Sequence, residues 1–186
     1  MVRQRFVMQQ GLKEEIFKLK NKSQVDQKIW QEFVQRLENG QGLIREENEK
    51  DHFCVFFLPI HPPSKSIYLG RHIKADDWIP PGGHIEKGEH PFDTLKREMR
   101  EELDYQLGGE QIEIFDLTIN LISKKYPCEV HWDLWYLVYF PEQVLFTFDR
   151  GEFHQAGWLE IKKALRRTKK VNYNQTLRKI NQRWKL

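Results

Sequence analysis

The sequence predicts α/β layers built around a mixed sheet, with further helices at both ends. Three observations predict it. Short runs rich in Phe, Val, Ile, Trp and Tyr, at 52–60, 66–73, 112–122 and 130–140, have the length and residue types of strands. One long amphipathic stretch, opening at Pro91 and carrying Leu95, Met99 and Leu103 at four-residue steps, interrupts them. Stretches of helical period flank the set before residue 45 and after residue 160.

Taken in order, residues 1–22 mix many lysines with Leu12, Ile16 and Leu19 at helical spacing. A clearer helix follows. Ser23 and Asp26 resemble a capping box, with Asp in place of the usual Glu or Gln. Ile29, Trp30, Phe33, Val34 and Leu37 form one apolar stripe, and Asn39-Gly40 offers a stop. That stripe has two candidate partners, the main domain or a second copy of the chain in a homodimer. Residues 41–51 are polar and read as a linker; 52–60 is a buried strand, Pro62-Pro63-Ser64 a turn, and 66–73 a second strand. Pro80-Pro81-Gly82-Gly83 reads as a tight turn ahead of the long helix, and Gly108-Gly109 ends that region. The strands at 112–122 and 130–140 follow, then shorter ones at 146–148 and 155–159. Residues 161–165 make a helical turn, and 174–184 a final helix with Leu177, Ile180 and Trp184 on one side. This order divides the chain into an N-terminal helical extension (1–45), a central domain (46–165) and a basic C-terminal helix packed on it (166–186).

Composition excludes several classes. Cys54 and Cys128 are the only cysteines and have no metal-ligand spacing, which argues against a disulfide framework or a zinc site. The N-terminus is charged where a secretion signal needs an apolar run, and no stretch approaches the roughly 18 apolar residues of a membrane span. A soluble, cytoplasmic protein is expected. The net charge of +3 conceals an asymmetry. Residues 161–186 hold ten of the 30 Lys/Arg and none of the 27 Asp/Glu, leaving 20 basic against 27 acidic residues in 1–160. The basic character belongs to the tail.

The chemistry is concentrated in 80–105. On a helix that starts at Pro91, where the proline ring is tolerated, Glu98, Glu101 and Glu102 fall at i, i+3 and i+4 on one face. Three such acids repel one another unless cations neutralise them, and hard divalent cations such as Mg²⁺ take oxygen ligands of this kind.

These residues resemble the Nudix box, G-x5-E-x7-R-E-U-x-E-E-x-G-U, where U is a bulky apolar residue. Gly83, Glu89, Arg97-Glu98-Met99 and Glu101-Glu102 stand at its spacings, with Tyr105 at the last apolar position. Asp104 stands where the family has Gly. A Gly just past a helix serves a left-handed cap; Asp tolerates that conformation at a cost of about 1 kcal/mol, and the acidic ligands are untouched.

The resemblance implies a Nudix-type α/β/α sandwich with a mixed sheet. It also implies hydrolysis of a pyrophosphate bond in a nucleoside diphosphate joined to another moiety: a nucleotide, a nucleotide sugar, a dinucleoside polyphosphate or similar. Mg²⁺, or Mn²⁺, would be held by Glu98, Glu101, Glu102 and a backbone carbonyl near Gly82-Gly83, with Gly83 as the ligand expected. Arg97, paired with Glu89, would hold Glu98 in its working rotamer. Glu98 or Glu152, from the loop 149–152, would take the proton of the attacking water. His84 directly after the double glycine and His131 of a His-x-Asp pair would either donate hydrogen bonds to a substrate phosphate or orient the loop. Arg71, His72 and Lys74 ahead of the box face either substrate phosphates or solvent from their strand. The alternative is a nucleic-acid-binding or RNA-end-processing protein that uses the ten cations of the tail to neutralise phosphates.

Overall fold

The computed structural model describes residues 2–122 and 127–185. Among them are five α-helices: α1 (Val2–Lys18), α2 (Gln27–Glu38), α3 (Pro91–Leu103), α4 (Ile161–Arg167) and α5 (Val171–Arg183). Seven strands accompany them: β1 (Asp51–His61), β2 (Ser66–His72), β3 (Asp77–Ile79), β4 (Gly82–His84), β5 (Gln111–Leu121), β6 (Val130–Tyr139) and β7 (Phe153–Glu160). The fold is α/β with a mixed sheet. Its strands run in the order β3-β2-β1-β6-β5, with β4 paired to β1 and β7 to β2. The chain forms two compact units, one of Met1–Phe56, Gly83–Leu95 and Ile114–Tyr136, the other of Phe57–Gly82, Lys96–Glu113 and Leu137–Leu186.

In the first unit, α1 and α2 pack together and bury Met8, Leu12, Ile16 and Leu19 of the N-terminal segment, which the lysine-rich composition left ambiguous. The cap of α2 differs from the expectation. Asp26 itself is the N-cap, and its carboxylate accepts from the Lys28 and Ile29 amides, so the helix begins at Gln27 and Ser23 stays outside it. Of the expected stripe, Phe33 and Leu37 are buried. Phe33 meets Phe53 and Trp132 edge-on, at ring separations of 5.7 and 5.1 Å. Trp30 is only partly covered, and its indole Nε1 donates to the Ile16 carbonyl at 2.9 Å. The Asp51 carboxylate ties α2 to the strands, accepting from Arg36 Nε at 2.8 Å and Trp132 Nε1 at 3.0 Å.

In the second unit, β2 is the central partner, antiparallel to β1, β3 and β7. Gly70 lies opposite Ile79 on one side and Ala156 on the other. A Cβ at Gly70 would stand 2.2 Å from Cδ1 of Phe153, a buried ring. Gly70→Ala is therefore expected to destabilise the protein by about 1–3 kcal/mol, the usual cost of overpacking. Thermal or urea unfolding checks this, and a midpoint equal to wild type would show that the ring yields freely. The strand expected at 146–148 is not formed. Phe146 turns instead into an aromatic cluster with Tyr68, Tyr105, Phe140 and Trp158, with ring separations from 4.9 to 5.9 Å. Side-chain burial there outweighs strand pairing. The C-terminal helix is longer than expected, starting at Val171, and it buries Tyr173, Leu177 and Ile180. Several of the tail's cations have partners in this unit; Arg167 stacks over Trp78 at 4.6 Å, and Arg183 bonds both oxygens of Glu113 at 2.8 Å.

Candidate active site

Helix α3 starts at Pro91, as its ring permits, and buries Leu95, Met99 and Leu103. It ends at Leu103, and the next residue, Asp104, has a φ of 47°, the left-handed conformation of a helix cap. Tyr105 then returns its amide to the Met99 carbonyl at 3.2 Å. The three acids of this helix do not share one environment. Glu98 and Glu102 retain 9% and 6% exposure, while the Glu101 side chain is 54% exposed.

The second unit holds the surroundings of those acids. Arg97 Nη1 donates to Glu98 Oε1 at 2.7 Å and to Glu101 Oε2 at 3.1 Å, so one guanidinium orients two carboxylates. Glu102 Oε2 accepts the Gly82 amide at 2.6 Å. Gly82 has φ 145°, in the region that favours glycine, which presents that amide without a side chain in the way. The loop after 148 is tied to the same helix end, since the Asp149 amide donates to the Glu102 carbonyl at 2.8 Å. The Asp149 carboxylate then accepts the Gly151 amide at 2.7 Å. Three residues on, the Glu152 carboxylate meets His72 Nε2 at 3.2 Å and Lys74 Nζ at 3.5 Å. The Lys74 and Ala75 amides donate to His72 Nδ1, which places the ring proton on Nε2 for donation to Glu152.

Burial pushes the Glu102 carboxyl well above the ordinary carboxylate range, and the charges of Glu98, Glu152 and Asp149 push it the same way. The Gly82 amide only partly opposes them. Three carboxylates thus act on the buried Glu102, where anions are costly without a counter-charge. This donor set of carboxylate oxygens fits a hard divalent cation.

The other residues expected from the sequence are placed as follows. Gly83 lies in β4, between the Gly82 amide donor and His84. Glu89, in the first unit, accepts from the Glu86 amide at 3.1 Å and the Thr94 hydroxyl at 2.8 Å, so it braces the loop into α3. Arg71 is exposed on β2 and pairs with Asp76 at 3.0 Å. His84 and His131 come together in the first unit, their rings 5.2 Å apart. His52 and Cys54 of β1 stand in the same cluster. Asp133, the second member of the His-x-Asp pair, is fully buried and accepts from Thr118 and Asn120. Sequence reasoning missed Asp149, the Gly82 amide, the pairing of His72 with Glu152, and the pair of His52 with Cys54. Only the last had a legible signal, because residues two apart on a strand face the same side.

The family model for the NUDIX domain matches residues 32–180. No curated protein matches the sequence significantly. Among solved structures, the dihydroneopterin triphosphate pyrophosphohydrolase of E. coli superposes with a TM-score of 0.61 at 17% identity, covering 67% of this chain and 91% of that one. A MutT protein from Methanosarcina mazei Go1 gives 0.60 at 14% identity over 74% and 97%. An Ap4A hydrolase from C. elegans gives 0.55 at 17% identity over 69% and 96%. These likenesses establish the fold, and among the described residues no helix is long and apolar enough to cross a membrane. With the box residues of α3 in a helix of that fold, and the family model spanning most of its length, the chain belongs to the Nudix hydrolase family.

Proposed function

We propose that this Nudix protein hydrolyses a pyrophosphate bond in a nucleoside diphosphate linked to another moiety, with Mg²⁺ or Mn²⁺ as its cofactor. One observation carries the reading: Glu98 and Glu102 are buried carboxylates on one helix, with Asp149 and Glu152 adding like charge to Glu102. The names of the solved relatives support the substrate class, since dihydroneopterin triphosphate and Ap4A both contain phosphoanhydride bonds.

Glu98, Glu101, Glu102 and the Gly83 carbonyl would hold the cation. When bound, it neutralises the diphosphate and lowers the pKa of a coordinated water. The chain's own residues do the rest. Arg97 fixes the Glu98 and Glu101 carboxylates, the Gly82 amide fixes Glu102, and Glu89 secures the loop that leads into α3. Glu98 takes the proton of the attacking water, with Glu152, held by His72 and Lys74, as the other candidate base. Arg71 offers a positive charge to the substrate phosphates from β2.

The test is a panel of deoxynucleoside triphosphates, dinucleoside polyphosphates and nucleotide sugars, followed by phosphate or pyrophosphate release. Turnover of at least one of them in Mg²⁺ or Mn²⁺ is expected, abolished by EDTA and restored by excess metal. Turnover that persists in EDTA, or none across the panel in either metal, would overturn the reading.

A further inference from the structure

The first unit contains a group of donor side chains that the hydrolysis above leaves unused. His52 and Cys54 of β1, His84 of β4 and His131 of β6 bring four donor atoms together, all within 4.8 Å of one another. The His52 ring lies 4.8 Å from that of His84 and 5.1 Å from that of His131. His52 and Cys54 are fully buried and the other two are partly covered.

The bonding of His52 is the informative detail. Its Nδ1 lies 2.8 Å from the Asn48 carbonyl oxygen, which can only accept, so the proton is on Nδ1. The lone pair is therefore on Nε2. That atom is buried and, among the described residues, has no hydrogen-bond partner. Buried polar atoms are nearly always satisfied, and an imidazole whose Nδ1–H is held by a backbone carbonyl is the usual arrangement of a metal-ligating histidine.

We propose that His52, Cys54, His84 and His131 bind one zinc ion, through three imidazole nitrogens and one thiolate. The donor types decide the metal. Nitrogen and sulfur ligands suit zinc, while Mg²⁺ prefers the carboxylate oxygens of α3. Bond lengths of about 2.0–2.3 Å place tetrahedral zinc ligands roughly 3.3–3.8 Å apart, so the group closes on the ion by side-chain shifts of an ångström or so. Binding releases the Cys54 thiol proton to solvent and leaves the thiolate on the metal. Four protein ligands leave no open position, which makes the site structural: it clamps β1, β4 and β6. Because His84 directly follows Gly83, the clamp also fixes the start of the segment that leads to Glu89 and α3.

The experiment uses the full chain, purified without chelator, with zinc measured by mass spectrometry, and then a stripped sample reloaded with Co²⁺. One zinc per chain is expected. The cobalt form should show the strong visible bands of tetrahedral coordination and a near-ultraviolet thiolate-to-cobalt band. Cys54→Ser should remove that thiolate band, and His52→Asn and His84→Asn should each reduce bound zinc to near zero. Glu98→Gln should keep the whole cobalt spectrum, which separates this site from the carboxylates of α3. Should Cys54→Ser fail to fold, the His84→Asn variant, altered at a partly exposed position, gives the zinc readout, with circular dichroism confirming its fold. A zinc-free chain with only the pale spectrum of octahedral cobalt overturns the proposal. So does a thiolate band that survives Cys54→Ser and is lost in Cys128→Ser, since Cys128 Sγ stands 3.9 Å from His84 Nε2.

Discussion

Glu98→Gln is expected to lower kcat by about 10²–10⁴-fold, the range for a lost general base, with a much smaller change in KM. The amide keeps the size of the side chain and can still accept the Arg97 bond that the carboxylate accepts at 2.7 Å. What it loses is the negative charge, and with it both proton acceptance and an oxygen ligand for the cation. Steady-state kinetics at saturating Mg²⁺ on the substrate found by the panel measures the loss. Glu152→Gln, made alongside, discriminates between the two candidate bases. Glu152 is braced by His72 and Lys74 and is more open than Glu98, so its amide variant should lose less. A larger loss at Glu152 would transfer the role of base to the loop. A kcat unchanged by Glu98→Gln would remove Glu98 from the chemistry.

Glu102→Gln is expected to make the metal-free protein more stable while lowering turnover. Burial and the charges of Glu98, Glu152 and Asp149 raise the Glu102 pKa in the folded state above its ordinary 4.5. A group raised in this way favours the folded state fully below its unfolded pKa, and that contribution is lost as pH rises through the folded pKa. The amide cannot ionise, so it loses nothing over that window, and its oxygen can still accept the Gly82 amide. The gap in melting temperature between variant and wild type should therefore open above pH 4.5 and widen toward neutrality. Melting curves in EDTA from about pH 4 to about pH 8 test it. Parallel curves across that range would show that Glu102 is not strained when ionised. Stability gained with activity lost is the mark of a residue kept for function.

The helix that carries these acids was legible because its determinants are local. A proline in the first turn, apolar residues every fourth position and an aspartate able to adopt positive φ are decided by sterics within a few residues. Local reasoning failed where a distant partner competed. Phe146 belongs to an aromatic cluster with residues near 68, 105, 140 and 158, and no nearby pattern announces that. Ser23 and Asp26 are both plausible caps by residue type, and only the path of the chain into α2 selects Asp26.

The same division runs through the candidate sites. From sequence alone, the acids at 98, 101 and 102 could be put on one helical face, because i, i+3 and i+4 are fixed by helix geometry. The family entered through the resemblance of the box residues and the match of the family model. Sequence could not say that Glu98 and Glu102 are buried while Glu101 is half exposed. That depends on what covers the helix, as do the additions of Asp149 and Glu152 around Glu102. Nor could it gather His52, Cys54, His84 and His131, which lie on three strands up to 79 residues apart in sequence. Which strands neighbour one another is a non-local choice, settled by packing; the tertiary structure alone decided it.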